Sequence, residues 1–316
     1  MGLWDGFAAD GHAPRHAHRG AWGGPDPVER HSLGDPDGHG WHLDRLRFEQ
    51  RLRATAIVRG AVPCAPARPV ALARADGGWR VTLAGDGGAT EVGARMVIDA
   101  SGRSSRLLRP HGARRRVDDR LVCGWTRVRT ALPGGVTQIE AEADGWWYAA
   151  PLPGGEALLA FHTDADLLAA RAGRSPAALL RRVQAAPMLG RLFDRPDAPV
   201  SDGGYCAAHG ARLDQPAGEG WLACGDAALA FDPLSAQGLF NALYTGLAAA
   251  ETADRMLDGD TAAGATYAAD LARVWAAYQA HRTAWYGLEP RWTDRPFWGR
   301  RRSAAGTPGL SGVDAP

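Results

Sequence analysis

Between Leu121 and Thr163 the apolar positions fall in four short runs: Leu121–Arg129, Gln138–Ala143, Trp146–Ala150 and Ala157–His162. Pro-Gly-Gly and Asp-Gly turns separate them, so this stretch predicts an antiparallel sheet. A continuous apolar run, Trp221 to Cys224, predicts a buried strand of an α/β sheet, and Arg95–Asp99 predicts a second. Apolar residues recurring every three or four positions at Leu239, Leu243, Leu247, Ala250, Ala253 and Leu257 predict a helix with that stripe as its packed face. A longer helix is predicted over 262–288, with Tyr267, Leu271, Val274, Tyr278, His281 and Trp285 on one stripe. Asp44 is placed to cap a helix whose apolar face is Leu46, Phe48, Leu52 and Ala56. Pro176–Ala186 reads as a short helix and Val200–Ala208 as a strand, while Val70–Ala73 and Trp79–Leu83 flank an Asp-Gly-Gly turn as a hairpin. Residues 1–40 carry Gly, Pro, Asp and His with no sustained period and predict loop. No internal repeat is present.

A chain of 316 residues can bury a large core and form two lobes. Its net charge of +1 gives no reason to expect nucleic acid or an anionic membrane as partner. All 36 basic residues are arginine. Cys64, Cys123, Cys206 and Cys224 are scattered without CxxC spacing, which indicates neither a zinc site nor a disulfide framework. The start has no apolar signal-like core and no window approaches a membrane span, so the expected location is cytoplasmic. Six of the ten histidines lie in the first 42 residues; with no metal-binding spacing among them, they read as solvated loop histidines and no metal is expected.

The densest chemistry lies between Gly220 and Glu251. Gly225-Asp226 follows the Trp221–Cys224 strand at its carboxyl end, where open α/β sheets bind ligands. The Asp226 carboxylate is a pure acceptor, suited to the hydroxyls of a sugar chain. Asp232-Pro233-Leu234-Ser235 then turns the chain into a helix that starts near Gln237-Gly238-Leu239. That start offers unpaired N–H groups and the positive end of a dipole, and Gly238 lets a flat ligand approach the backbone.

GD-x5-DP-x4-GL, followed by a small-residue helix, resembles the ribityl-binding fingerprint of FAD-dependent aromatic hydroxylases and flavin-dependent halogenases. GWHLDRLRFEQRL resembles their arginine-bearing helix, VIDASGRSSRLLR their second flavin-contacting turn, and GWWYAAPLP their active-site strand. GLEPRW-x4-FWGRR resembles the C-terminal segment of one subgroup, the maturation monooxygenases of quinone-cofactor amine and amino-acid oxidases. The fragments together span nearly all of residues 1–302. The resemblance implies a mixed α/β and α+β chain: an FAD-binding, three-layer, glutathione-reductase-like domain, N-terminally truncated, with an antiparallel β-sheet substrate domain. Residues 1–108 and 209–258 would form the flavin domain and 109–208 the substrate domain. A C-terminal helical segment, 259–302, and a mobile tail, 303–316, would follow. Arg45, Ser101, Gly102, Gly225, Asp226, Pro233, Gly238 and Leu239 would contact FAD. Trp146, Trp147 and Tyr148 would line the substrate side, with core packing as the other reading of the same residues. The aromatic-rich Trp285–Trp298 segment reads either as the wall of a substrate groove or as a packed C-terminal cap.

Three departures qualify what is implied. No GxGxxG turn precedes a strand–helix pattern, and Met1 falls where the family is already well under way, so this chain is expected to hold FAD weakly. Ser101-Gly102 stands where aromatic hydroxylases carry Asp-Gly, which leaves the electron donor open between NAD(P)H and a separate reductase. Trp146–Pro151 departs from the W-x-W-x-I-P of halogenases, and their catalytic lysine has no counterpart here. The expectation is a monooxygenase adding oxygen to an aromatic small molecule or a peptidyl side chain; a flavin-dependent halogenase is the alternative, and a non-catalytic binding module the reading from another class. No catalytic acid or base is identified.

Overall fold

In the computed structural model, which describes residues 2–130, 132–195 and 200–302, most of the predicted runs are regular elements. The expected mobile tail, 303–316, lies outside the described residues. Among those residues the helices are α1 (Trp4–Ala9), α2 (Arg45–Val58), α3 (Pro176–Val183), α4 (Gly238–Leu257), α5 (Ala263–Gly287) and α6 (Pro296–Arg302). The architecture is mixed α/β, as expected, and none of these helices is long and apolar enough to cross a membrane. The chain divides into two units, the first made of the residues up to Val62, Arg120–Ala208 and the segment from Thr283, the second of Pro63–Asp119 and His209–Arg282. Residues 1–62, expected with the flavin domain, thus group with the large sheet.

The first unit is built on a seven-stranded sheet, in the order Val200–Ala207, Leu121–Arg129, Glu156–Asp164, Gly145–Leu152, Val136–Glu142, Ala17–Ala21, Val28–His31. Ala17–Ala21 runs parallel to Val136–Glu142, and the other neighbours are antiparallel. One face carries Trp147, Leu159 and Phe161 into a core closed by Leu179, Leu180 and Val183 of α3. Gly124 sits where the Leu121–Arg129 strand touches the backbone of Gly173, so any side chain there would collide with the main chain. At the C-terminus, the carboxylate of Asp164 (1% exposed side chain) takes charge-assisted bonds from Arg300 and Arg301.

Two expectations fail in this unit. Residues 1–40 are not loop: they form α1 and the short strands Ala13–Arg15, Ala17–Ala21 and Val28–His31, and Gly40–His42 pairs back onto Ala13–Arg15. These strands are three to five residues long and carry His and Arg among their few apolar residues, so neither length nor hydrophobicity marks them in the sequence. Asp44 does cap α2, accepting from the Arg47 N–H, but α2 has no buried residue and Leu46 is exposed.

In the second unit Trp221–Ala223 pairs in parallel with Val97–Asp99, and Ala217–Gly218 flanks the pair. A meander of Ala67–Ala75, Gly78–Gly85 and Gly88–Ala94 extends the predicted hairpin by a third strand. Trp79 from the meander joins Leu222, Ala249, Tyr267, Leu271, Trp275 and Tyr278 in one core, with Val274 packed against it; of the predicted α5 stripe, His281 is exposed instead. The stripe on α4 packs only in part: Ala253 is buried and Leu239 and Leu243 half-buried, while Leu247, Ala250 and Leu257 are exposed. The helix's buried positions are Asn241, Thr245, Ala249, Thr252 and Ala253, whereas Phe240, Tyr244 and Leu247 face solvent. The inward positions are polar because they bind the main chain of the turn described next.

Candidate functional site

The parallel register sets Ala223 opposite Asp99, so both strands end at one level and the Cys224 N–H donates to the Asp99 carbonyl. Beyond Asp99, its carboxylate gathers the next turn: Oδ1 accepts from the Ser101 N–H (2.9 Å) and hydroxyl (2.6 Å), and Oδ2 from the Ser105 hydroxyl. Beyond Cys224, Gly225 is buried at φ 56°, a left-handed conformation that favours glycine. Its N–H donates to Thr245 Oγ1 at 2.7 Å, and that hydroxyl donates to the Asn241 carbonyl at 2.6 Å. Asn241 Nδ2 holds the Leu229 carbonyl at 2.8 Å, and the Tyr267 hydroxyl holds that of Ala223 at 2.7 Å. Burial pushes the Tyr267 phenol well up, so it remains a donor. These groups lock the turn from inside, and Arg115 adds bonds to the Asp226 and Ala227 carbonyls.

Asp226 is thereby carried to the surface of the turn. Its side chain is 34% exposed, with Oδ2 3.4 Å from an Arg103 guanidinium nitrogen. Asp232, fully buried, caps the Pro233–Ser235 turn by accepting from the Leu234 N–H, while its own N–H donates to the Tyr278 hydroxyl. Pro233 and Gly238 are exposed and Leu239 half-buried. No side chain caps the start of α4, and the space a Cβ would take at Gly238 or Gly102 is open. The second unit therefore brings Ser101, Gly102, Gly225, Asp226, Pro233, Gly238 and Leu239 into consecutive turns at the carboxyl ends of its parallel strands. Arg45 belongs to the first unit, exposed at the first position of α2 and paired with Glu49 one turn on.

In the first unit, strand alternation separates the three predicted substrate-side residues. Trp146 and Tyr148 share one face of the sheet; Trp147 points to the other, in the core with Phe161, its indole donating to Glu142. Trp146 stacks on His162 with 3.7 Å between ring centres and donates to the Tyr286 hydroxyl at 3.1 Å. Tyr148 meets Thr137 and Arg15, and burial raises its phenol. His42 is hydrogen-bonded to Thr137 at 2.9 Å, and burial together with Arg15 pulls His18 and His42 down to about 4. Burial pulls His162 to about 3. These histidines are uncharged at neutral pH. The reading of the N-terminal histidines as solvated is therefore overturned for His12 and His42, which are buried. Tyr286, Phe297 and Trp298 are fully buried, so the C-terminal aromatics form the packed cap.

The family model for tryptophan halogenases matches residues 25–311. A protein described as an FAD-dependent oxidoreductase, LodB of Marinomonas mediterranea, is 25% identical over 296 residues, covering 92% of this chain and 79% of its own. The flavin-dependent halogenase CmlS superposes with a TM-score of 0.83 at 21% identity, over 99% of this chain and 58% of CmlS. The peptidyl tryptophan dihydroxylase QhpG, essential for tryptophylquinone cofactor biogenesis, superposes with a TM-score of 0.76 at 25% identity, over 99% of this chain and 70% of QhpG. The chain thus spans a little over half the length of the first of these structures.

Proposed function

Because the chain belongs to the tryptophan halogenase family of FAD-dependent oxidoreductases, we propose that it is the flavin- and substrate-binding part of an oxygenase acting on an aromatic side chain within a peptide. The observation that carries the flavin half of this reading is the turn at Gly225-Asp226. A buried main chain, locked by Thr245 and Tyr267, presents one partly exposed carboxylate beside an uncapped helix start. These residues fit FAD: Asp226 would accept from its ribityl hydroxyls, and the free N–H groups at Gly238 and Leu239 would face its electron-rich ring edge. When bound, FAD supplies the redox chemistry, accepting electrons and activating dioxygen. NAD(P)H or a separate reductase supplies those electrons; the Ser101 hydroxyl is engaged by Asp99.

The chain's own part on the substrate side would be an aromatic face built on Trp146 and Tyr148, with Arg15 beside Tyr148. Trp146 is fixed between His162 and Tyr286, and Tyr148 stays protonated beside Thr137. Neutral His18 and His42 would line this face beside Arg15, which is its one fixed cation among these residues. The peptidyl substrate is supported by the similarity to QhpG along nearly all of this chain. Incubation with reduced flavin, dioxygen and chloride, with free tryptophan in one tube and a tryptophan-containing peptide in the other, tests the reading. Mass spectrometry should find oxygen added to the peptide; chlorinated tryptophan with an unmodified peptide would replace it with the halogenase reading.

A further inference from the structure

A cavity of about 780 Å³ opens in the second unit beside the Ser101–Ser105 turn. Five arginines line it, Arg103, Arg106, Arg109, Arg114 and Arg115, against one carboxylate, that of Asp99. Asp99 is already engaged by Ser101 and Ser105. Arg115 is anchored, donating to the Ala227 carbonyl at 2.6 Å and more weakly to that of Asp226. Arg103 donates to the carbonyls of His209 and Phe231. These two form a fixed basic floor. Arg106, Arg109 and Arg114 are exposed, and their guanidiniums make no hydrogen bond or ion pair to any described residue.

This concentration of charge is local, since the whole chain carries only +1. Arginine cannot relieve the repulsion by shedding a proton, as a lysine would. Burial and then the charge of Arg103 disfavour the charge on Arg115, and its buried Nε has no partner among the described residues. A bound anion would offset each of these costs. A single carboxylate takes one guanidinium fork and leaves the others facing each other, whereas phosphate oxygens accept from several forks at once. The cavity is also far larger than one small oxyanion and falls within the range of nucleotide-sized sites.

We propose that this arginine-lined cavity binds the diphosphate of a nucleotide. Arg103 joins it to the flavin turn, because the same guanidinium lies 3.4 Å from Asp226. The diphosphate is either that of FAD itself, which rests on the function proposed above, or that of a second nucleotide such as a pyridine dinucleotide. The chemistry is shared, and competition separates the sources.

Calorimetric titration of the purified chain with ADP, with adenosine as the uncharged control, tests it. ADP should bind at least about tenfold more tightly than adenosine, and less tightly as salt rises. The exposed triple variant Arg106→Gln/Arg109→Gln/Arg114→Gln should keep its melting temperature and lose ADP affinity about tenfold or more. Competition between FAD and ADP assigns the cavity to the flavin's own diphosphate; simultaneous binding assigns it to a second nucleotide. ADP bound no better than adenosine, or equally by the wild-type and triple-variant chains, overturns the proposal. FAD bound without any effect of the triple variant, together with ADP binding equally unaffected, would leave the flavin reading standing and remove this one. ADP bound where FAD is not would do the reverse.

Discussion

Two clusters of basic side chains in this molecule end in opposite electrostatic states. In the first unit, Arg15, His18 and His42 meet Tyr148 and Thr137, and burial takes the charge from both histidines. In the second, five arginines line one cavity and all remain charged, since burial cannot deprotonate arginine at neutral pH. Residue type, more than burial, decides the outcome. The histidines beside Arg15 lose their charge and leave one cation among them; five arginines together make an anion trap.

The largest expected effect comes from forcing charge onto the histidines. His162 has a folded value of about 3 against an ordinary value near 6.5. The unfolded chain therefore binds more protons between those values. Its contribution is fully present above about pH 6.5 and is lost as pH falls toward 3, at a cost of about 4 kcal/mol for this fully buried ring. His18 and His42 add smaller losses between about 6.5 and 4, reduced by solvent screening. In melting curves across this range, His162→Asn should flatten the acid slope and the Arg106/Arg109/Arg114 variant should not. Equal acid slopes in the wild type and His162→Asn would erase the contrast.

Next in size, Asp226→Ala should weaken FAD roughly 10- to 150-fold in any form of the protein that binds it, from a charge-assisted bond of about 1.5–3 kcal/mol. The melting temperature should hardly move, because Asp226 is partly exposed and its ion pair is loose. An unchanged flavin affinity would place the ribityl chain elsewhere. Thr245→Val probes the scaffold instead, leaving the buried Gly225 N–H without its acceptor. That should cost about 1–3 kcal/mol in denaturant melts. A fully stable variant would show the turn is held by its other contacts.

The smallest effect is the control. Arg45 is an arginine of the first unit that is neither buried nor crowded, and it already has Glu49 as partner. Arg45→Ala should change stability by no more than about 0.5 kcal/mol. A larger loss in the same melts would mean that Arg45 packs against something beyond its own helix.

The sheet was legible in the sequence because its strands are long enough to alternate and end in Pro-Gly-Gly and Asp-Gly turns. The turn at Gly225-Asp226 was legible because strand, acidic turn and proline loop come consecutively in the chain. Three things were not. The N-terminal strands are too short and too rich in His and Arg to show a period, yet Ala17 and Ala21 bury as strand residues do. On α4 hydrophobicity found Ala253 but missed most of the buried face, because the strand-end turn needed Asn241 and Thr245 inside to bind its main chain. The arginine cavity lay in plain view as GRSSRLLRPHGARRR, but only the tertiary fold shows that five of those guanidiniums converge while Asp99 is turned to its serines.

The exposed aromatic strip of α4 has a consequence for anyone handling the protein. Phe240 and Tyr244 stack on each other in water, with Leu247 one turn further on and 52% exposed. A folded chain with such a strip should behave as a weak surfactant. It should adhere to hydrophobic-interaction resin and light up environment-sensitive dyes before any melting begins. Replacing Phe240 and Leu247 with glutamine should lower that baseline and raise the solubility limit, and leave the Thr245 side of the helix undisturbed.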